Sequence, residues 1–429
     1  MNNCVVGTGY VGLVTGVCLA EKNNVVTCVD VIEEKVDMIK KGKPPIYEKN
    51  LQPLLEKNVK NKRLLATTNL GKAMEKTDII FICVGTPSKE DGAIDLRHVE
   101  NAVKNIGKNL ANLEETDYPV VVVKSTVVPG TTEKIVIPTL EKHSGKKAGK
   151  DFGVCMNPEF LREGDAVKDF LNPDRIVIGE HDEKGGDKLD RVYSWSKAPR
   201  IRCTPTTAEM IKYASNALLA TKISFINEIG NQCKTLGIDV YDVARGVGLD
   251  HRISPHFLQA GPGFGGSCFP KDVKALAKQA EELGLQPLLL KAVLEVNRRQ
   301  PLKAVDLVEK MLGQLEDRTV TILGLTFKPD TDDTRESPAI PIIKKLLERG
   351  ANVILHDPKA GEKVKKLFYG DKKVEIFEDP QKAVDLGDAT ILVTAWREYL
   401  TLDYSKTRLV DTRHVIDREK CLEYEGICW

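Results

Sequence analysis

Cys268 sits in "GPGFGGSCFPKD" (residues 261–272), ringed by glycines and prolines and followed closely by Lys271 and Asp272. A thiol used for packing sits in an apolar strand or helix, as Cys83 does in "IIFICVG"; Cys268 has no such cover, which sets it apart as a candidate for chemistry. The other nine cysteines, at 4, 18, 28, 83, 155, 203, 233, 421 and 428, form no C-x-x-C pair, and no histidine spacing suggests zinc. Most read as small buried hydrophobes in a reducing compartment, and no metal is expected. Lys212 and Asn216 lie four residues apart in a helical stretch and therefore share a face. An ordinary solvated lysine is the plain alternative for Lys212.

A second chemistry is written near the start. In "NCVVGTGYVGLVTGVCLAEKNNVVTCVD", Gly7, Gly9 and Gly12 fit G-x-G-x-x-G between a strand and a helix, and the next strand ends in Asp30. The first glycine allows a tight turn, the second lets the backbone approach a pyrophosphate, and the third lets helix and strand pack closely. Asp30 can accept hydrogen bonds from both ribose hydroxyls and would repel a 2′-phosphate, so NAD is expected over NADP.

These groups need a scaffold. The runs "DIIFICVGTP" and "YPVVVVKSTVVPGT" alternate with amphipathic helices, which implies a parallel sheet covered on both faces, with ligands at the strand C-termini, where Thr86 and Thr126 lie. A long helix is expected from "TTAEMIKYASNALLATKISFINEIGNQCKTLG", with Thr206 and Glu209 as a capping box and Met210, Ala214, Ala217, Leu218, Phe225 and Ile229 at helical spacing. Two more helical segments follow the cysteine loop, and Pro301 divides or kinks the second. Then strand, turn, helix and strand return in "RTVTILGLTFKPDTDDTRESPAIPIIKKLLERGANVILHDP", with one glycine, Gly324, and the acid Asp357. That half lacks the dinucleotide fingerprint; Lys328 and Arg335 in its turn are candidate phosphate partners or ordinary loop charges.

With 63 basic against 62 acidic residues in 429, charge argues for neither a nucleic-acid nor a membrane-surface partner. No apolar run approaches the ~18 residues of a spanning helix, and the opening reads as a strand, so a cytoplasmic enzyme is expected. The expected class is α/β: two Rossmann-like, doubly wound parallel-sheet domains joined by a central helical region. The segments are 1–200, 201–312 and 313–429, and the task expected of such a cleft is oxidation of something that is itself a nucleotide.

The blocks "GTGYVGLV", "FICVGTP", "KSTVVPGTT", "NPEFLREGDAVKDFLNPDRIVIG", "AEMIKYASNALLATKISFINEI", "GPGFGGSCFPKD" and "LTFKPDTDDTRESPA" together resemble the UDP-glucose/GDP-mannose dehydrogenase family, in order and over nearly the whole chain. The resemblance implies NAD-dependent, four-electron oxidation of a sugar C6 alcohol to a carboxylate without release of the aldehyde. Cys268 would carry a thiohemiacetal and then a thioester, against a glycine loop that lets a nucleotide sugar lie on its backbone. Lys212 would stabilise the alkoxide or thiolate, Asn216 would serve as an oxyanion donor, and Asp272 would hold a water with Lys212. Thr126, Glu159 and Glu163 would handle water or touch substrate and cofactor.

Around NAD the resemblance implies Val11, Asp30, Lys35, Thr86, Thr126, Glu163, Lys271 and Arg335 besides the three glycines. For the sugar nucleotide it implies Glu159, Phe160, Leu161, Arg162 and Glu163, then Lys212 and Asn216. It adds Phe257, Leu258, Gln259, Ala260 and Gly261, with Gly265 and Lys328. Arg252 resembles an arginine that reaches into a partner's site, which implies a homodimer built on the central helix. UDP-glucose is expected as substrate, GDP-mannose being the alternative. The chain departs from the family pattern at "PIYEKNL", where Lys49 and Asn50 replace Pro-Gly, and at Ala395, where an acid is usual, while the ending "EGICW" is more like the GDP-mannose dehydrogenase branch. A two-electron β-hydroxyacid-type dehydrogenase would need neither Cys268 nor the third segment, and an NAD-sensing protein would need none of Lys212, Asn216, Cys268 and Asp272.

Overall fold

Val120–Val123, four valines in a row, and Ile79–Ile82 are buried along their whole length. β-Branched side chains buried to both sides fit only the interior of a sheet covered on both faces. The computed structural model describes residues 1–113 and 118–429 and divides into two units, Met1–Ser215 and Asn216–Trp429. The central helices thus fall with the second sheet, where the sequence reading had three segments.

In the first unit the strands are β1 (Asn2–Val6), β2 (Val25–Val29), β3 (Leu64–Thr67), β4 (Ile79–Ile82), β5 (Val120–Val123), β6 (Gly153–Met156), β7 (Ile176–Glu180) and β8 (Arg200–Cys203). Their order is β3-β2-β1-β4-β5-β6-β7-β8, parallel throughout except for the β6–β7 pair. Val6 pairs with both Val29 and Ile82, so Gly7, Asp30 and Cys83 leave the sheet side by side.

In the second unit β9 (Thr319–Leu323), β10 (Asn352–His356), β11 (Val374–Ile376), β12 (Ala389–Leu392), β13 (Arg408–Asp411) and β14 (Glu423–Gly426) form an all-parallel sheet in the order β11-β10-β9-β12-β13-β14. One core joins Ile226, Cys233 and Val240 from the helical region to Val320, Ile322 and Ile391 from this sheet, with Ile427 and Cys428 from the chain end. This shared core explains why the helical region does not separate as a body of its own. The two helices Leu288–Arg299 and Leu302–Leu312 are divided at Pro301, as expected. No described helix is long and apolar enough to cross a membrane.

The long helix spans Pro205–Leu236. Its cap differs from the expected box: Thr204 Oγ1 accepts the Thr207 N–H at 3.2 Å, and Pro205 occupies the first position. Thr206 donates instead to Glu133 at 2.7 Å. Glu209 is fully buried and accepts from Gly130 N (2.6 Å), Thr132 N (2.8 Å) and Thr132 Oγ1 (2.6 Å), so it caps the segment after β5. Burial pushes its carboxyl up to about 7, against those three bonds. Met210, Leu218 and Phe225, which recur at helical spacing in the sequence, are 43%, 63% and 53% exposed. Gly230 survives in mid-helix because a Cβ there would lie 2.7 Å from Cys428 Cβ.

Candidate active site

In the first unit the turn after β1 is built for close approach. A Cβ on Gly12 would lie 1.9 Å from the Gly7 carbonyl oxygen, whereas one on Gly9 would meet nothing within 4 Å. Gly9 is also the N-cap of the helix Tyr10–Glu21, which no side chain caps. An open face at uncapped helical N–H groups fits an anionic pyrophosphate. Asp30 Oδ2 accepts from Thr8 N (2.8 Å) and Thr8 Oγ1 (2.6 Å), and Oδ1 from Ile32 N (3.1 Å). Burial opposes its ionisation, yet these bonds, with Lys35 nearby, hold the carboxyl below its usual range. Val11 follows on the first turn of the helix, and Thr86 Oγ1 donates to the Thr126 carbonyl at 2.9 Å, joining the ends of β4 and β5. These residues fit NAD.

The same unit holds a buried charge cluster. Glu159 Oε1 lies 2.9 Å from Lys212 Nζ, with side chains 5% and 4% exposed, and Oε2 accepts the Leu161 N–H at 2.6 Å. Burial opposes the Glu159 charge, but Lys212 first, then that backbone bond and Lys124, keep the carboxyl low. Phe160 carries the Arg175 guanidinium 3.8 Å from its ring centre, with Lys212 at 5.5 Å. Arg162 is exposed and engages Asp169 through both Nε and a terminal nitrogen, at 2.9 and 2.7 Å. Leu161 packs against the core, and Glu163 is half-buried.

Two residues outside the expected set hold this segment. Glu48 of "PIYEKNL" accepts from Tyr10 Oη, Gly164 N (2.7 Å) and Ala166 N (3.0 Å). Asn50 takes φ +64°, so an asparagine fills the left-handed turn position where the family pattern has glycine. Lys124, at the end of β5, donates to Asn157 Oδ1 at 3.0 Å. Its signal in the sequence is a lysine directly after a buried valine run.

In the second unit Cys268 is the N-cap of the helix Phe269–Glu282 and is partly exposed. Seven other thiols are buried, and burial pushes Cys28 and Cys83 up to about 12 and half-exposed Cys421 up to about 11. Asp272, one turn on and 1% exposed, accepts from Asn216 Nδ2 at 2.6 Å and pairs with Lys271 at 2.5 Å. Lys271, expected at the cofactor, is thus an acid's partner here.

One side of the glycine loop is filled. A Cβ on Gly265 would lie 2.3 Å from the Glu336 carbonyl oxygen, and one on Gly266 would strike the Phe327 ring at 2.8 Å. These glycines admit the neighbouring turn of the same unit, not a ligand on that side. Leu258 and Ala260 are buried in the core, Gln259 is exposed, and Phe257 sits edge-on to Phe269 at 6.1 Å, so Leu258 and Ala260 offer backbone alone. The Gly261 N–H is held by Asn227 at 2.8 Å. Arg252 is exposed and bidentate on Asp250, and Arg335 likewise on Asp333. Lys328 lies 5.8 Å from the Phe327 ring centre. Sequence reading missed Arg413, whose Nε donates to the Val393 carbonyl while one buried terminal nitrogen has no partner. Among the described residues no cluster of acids, cysteines and histidines could hold a metal ion.

Three family models match the chain in order: the UDP-glucose/GDP-mannose dehydrogenase family's NAD binding domain over 1–196, its central domain over 206–299 and its UDP binding domain over 321–423. A UDP-glucose 6-dehydrogenase of Bacillus subtilis is 44% identical over 412 residues, spanning 96% of this chain and 87% of that protein. A GDP-mannose 6-dehydrogenase of Pseudomonas aeruginosa is 39% identical, covering 100% of both chains. A solved UDP-glucose dehydrogenase from the archaeon Pyrobaculum islandicum superposes with a TM-score of 0.95 at 45% identity, over 100% of this chain and 97% of that one.

Proposed function

The chain belongs to the UDP-glucose/GDP-mannose dehydrogenase family, and on that premise we propose that it oxidises the C6 alcohol of UDP-glucose to the carboxylate of UDP-glucuronate through a thioester on Cys268. The observation that carries the reading is the setting of Cys268: a partly exposed cysteine at the N-terminal end of a 14-residue helix, one turn from the buried Asn216–Asp272 pair. NAD, held at Gly7, Gly9, Gly12 and Asp30, supplies the hydride acceptor. Val11, Lys35, Thr86, Thr126, Glu163, Lys271 and Arg335 complete its surroundings in this reading.

Lys212 stabilises the alkoxide as C6 loses its first hydride. The Cys268 sulfur then adds to the carbonyl carbon, and Asn216 supports the oxyanion of the thiohemiacetal. A second two-electron loss at C6 leaves the thioester. Water, positioned by Asp272, adds to it and releases the carboxylate and the free thiol. Arg413 and Lys328 are suited to the diphosphate: both are basic side chains in the unit that matches the UDP binding domain.

One observation favours GDP-mannose instead. The ending "EGICW" is tied down, with Cys428 packed on Gly230 and the Trp429 carbonyl accepting from Lys234 at 2.8 Å, so a chain-end resemblance to the GDP-mannose branch has a fixed structural setting. The test is kcat/KM for both sugar nucleotides with NAD under matched conditions, with NADH counted per sugar. UDP-glucose should be the better substrate and yield two NADH; preference for GDP-mannose overturns the substrate, and one NADH per sugar overturns the thioester route.

A further inference from the structure

His414 follows Arg413 directly and takes φ +56°, a left-handed conformation that a residue with a side chain keeps only where its surroundings over-determine it. Two rings do so. Tyr241 lies face to face with the imidazole, centroids 4.3 Å apart and planes 14° off parallel, and Trp429 stands edge-on to it at 4.8 Å. Trp429 is also edge-on to Tyr241 at 5.5 Å, so the three rings form one cluster. Each is tied down separately. Asp239 accepts the Tyr241 N–H at 2.8 Å and lies 3.8 Å from His414 Nε2. The Trp429 indole donates to Tyr424 Oη at 2.9 Å and rests on Gly426, where a Cβ would lie 2.1 Å from its nitrogen.

The cluster borders two stretches of the proposed sugar-nucleotide site. Tyr241 Oη donates to the Ala260 carbonyl at 2.9 Å, and a Cβ on Gly261, the next residue, would lie 3.7 Å from Arg413 Nη1. The Arg413 backbone N–H donates to Asp411 at 2.7 Å and its Nε to the Val393 carbonyl at 2.6 Å, while one terminal nitrogen is buried with no hydrogen-bond partner among the described residues. A guanidinium with a donor to spare beside Gly261 suits an anion, and its aim depends on the backbone that carries it. We propose that Trp429 is a positioning residue for the nucleotide diphosphate: with Tyr241 it clamps His414, which fixes Arg413, and through Tyr241 it fixes the Ala260 carbonyl. A diphosphate arm held this way binds alike in the ground state and the transition state, so loosening it shows in affinity and not in the chemical step.

The inference rests on the proposed dehydrogenase reading, and the test separates the two. NADH formation by the unaltered enzyme on UDP-glucose or GDP-mannose judges that reading, whereas calorimetric binding of UDP, or of GDP if GDP-mannose is the sugar nucleotide oxidised, judges the clamp. Trp429→Ala should weaken nucleotide binding and raise KM for the sugar nucleotide about tenfold, with kcat kept within about twofold and NAD binding unchanged. Trp429→Phe, which keeps a ring edge and loses the bond to Tyr424, should recover most of the loss. His414→Gly is the companion variant: glycine adopts φ +56° freely, so the turn survives while the ring is lost, and nucleotide binding should fall likewise. Parental nucleotide affinity in Trp429→Ala overturns the proposal, as does an equal loss of NAD affinity, which marks general damage. If Trp429→Ala fails to fold, the same two outcomes in His414→Gly decide.

Discussion

Cys268→Ser is the sharpest test at the scale of single residues. A hydroxyl can keep the N-cap geometry of Phe269–Glu282 but is a far weaker nucleophile and cannot form a thioester. The variant should lose steady turnover while binding NAD and sugar nucleotide with little change, as read by calorimetry; undiminished turnover would place the nucleophile elsewhere. Cys268 was legible in the sequence because nothing around it could bury a thiol. Asp30 was legible because its distance from the glycine turn is set by one helix and one strand. Glu48 and Lys124 were not, since what defines them is the partner: Glu48 meets Gly164 across 116 residues, and Lys124 meets Asn157 across 33.

The long helix shows the same limit at the scale of elements. Its existence and its length of 32 residues follow from an uninterrupted apolar period, and both were readable. Its first turn was misread because Thr206 and Glu209 have capping-box spacing, while Glu209 serves Gly130 and Thr132 across the fold. A local pattern lost to a non-local partner that buries the acid completely. The structure therefore predicts that Thr204→Ala lowers unfolding stability by about 1 kcal/mol, measured by urea denaturation. Thr206→Ala, which loses only an exposed bond to Glu133, should cost less; the reverse order would restore the capping box.

At the scale of the whole molecule, both sheets share the order 3-2-1-4-5-6 across their first six strands; the parallel, doubly wound class was legible from apolar runs punctuated by glycine and an acid, the order itself was not read. The single antiparallel pair, β6 with β7, was not, because "VCM" and "RIVIG" carry no mark of direction. The exposed stripe of Met210, Leu218 and Phe225 is consistent with the homodimer expected from the resemblance, a solvent-facing apolar row being what a second copy would cover. Leu218→Asp with Phe225→Asp should shift sedimentation toward monomer, and an unchanged coefficient would remove this face from the assembly. Each unit is also one unbroken length of chain, which bears on how the protein is born. On the ribosome the Glu159–Lys212 pair can close as soon as the first unit has emerged, whereas Asn216 must wait for Asp272, 56 residues later. At synthesis rates of about 5–20 residues per second, that is a delay of roughly 3–11 seconds in every round of synthesis, during which the nascent chain carries the first unit complete and Asn216 without its acid.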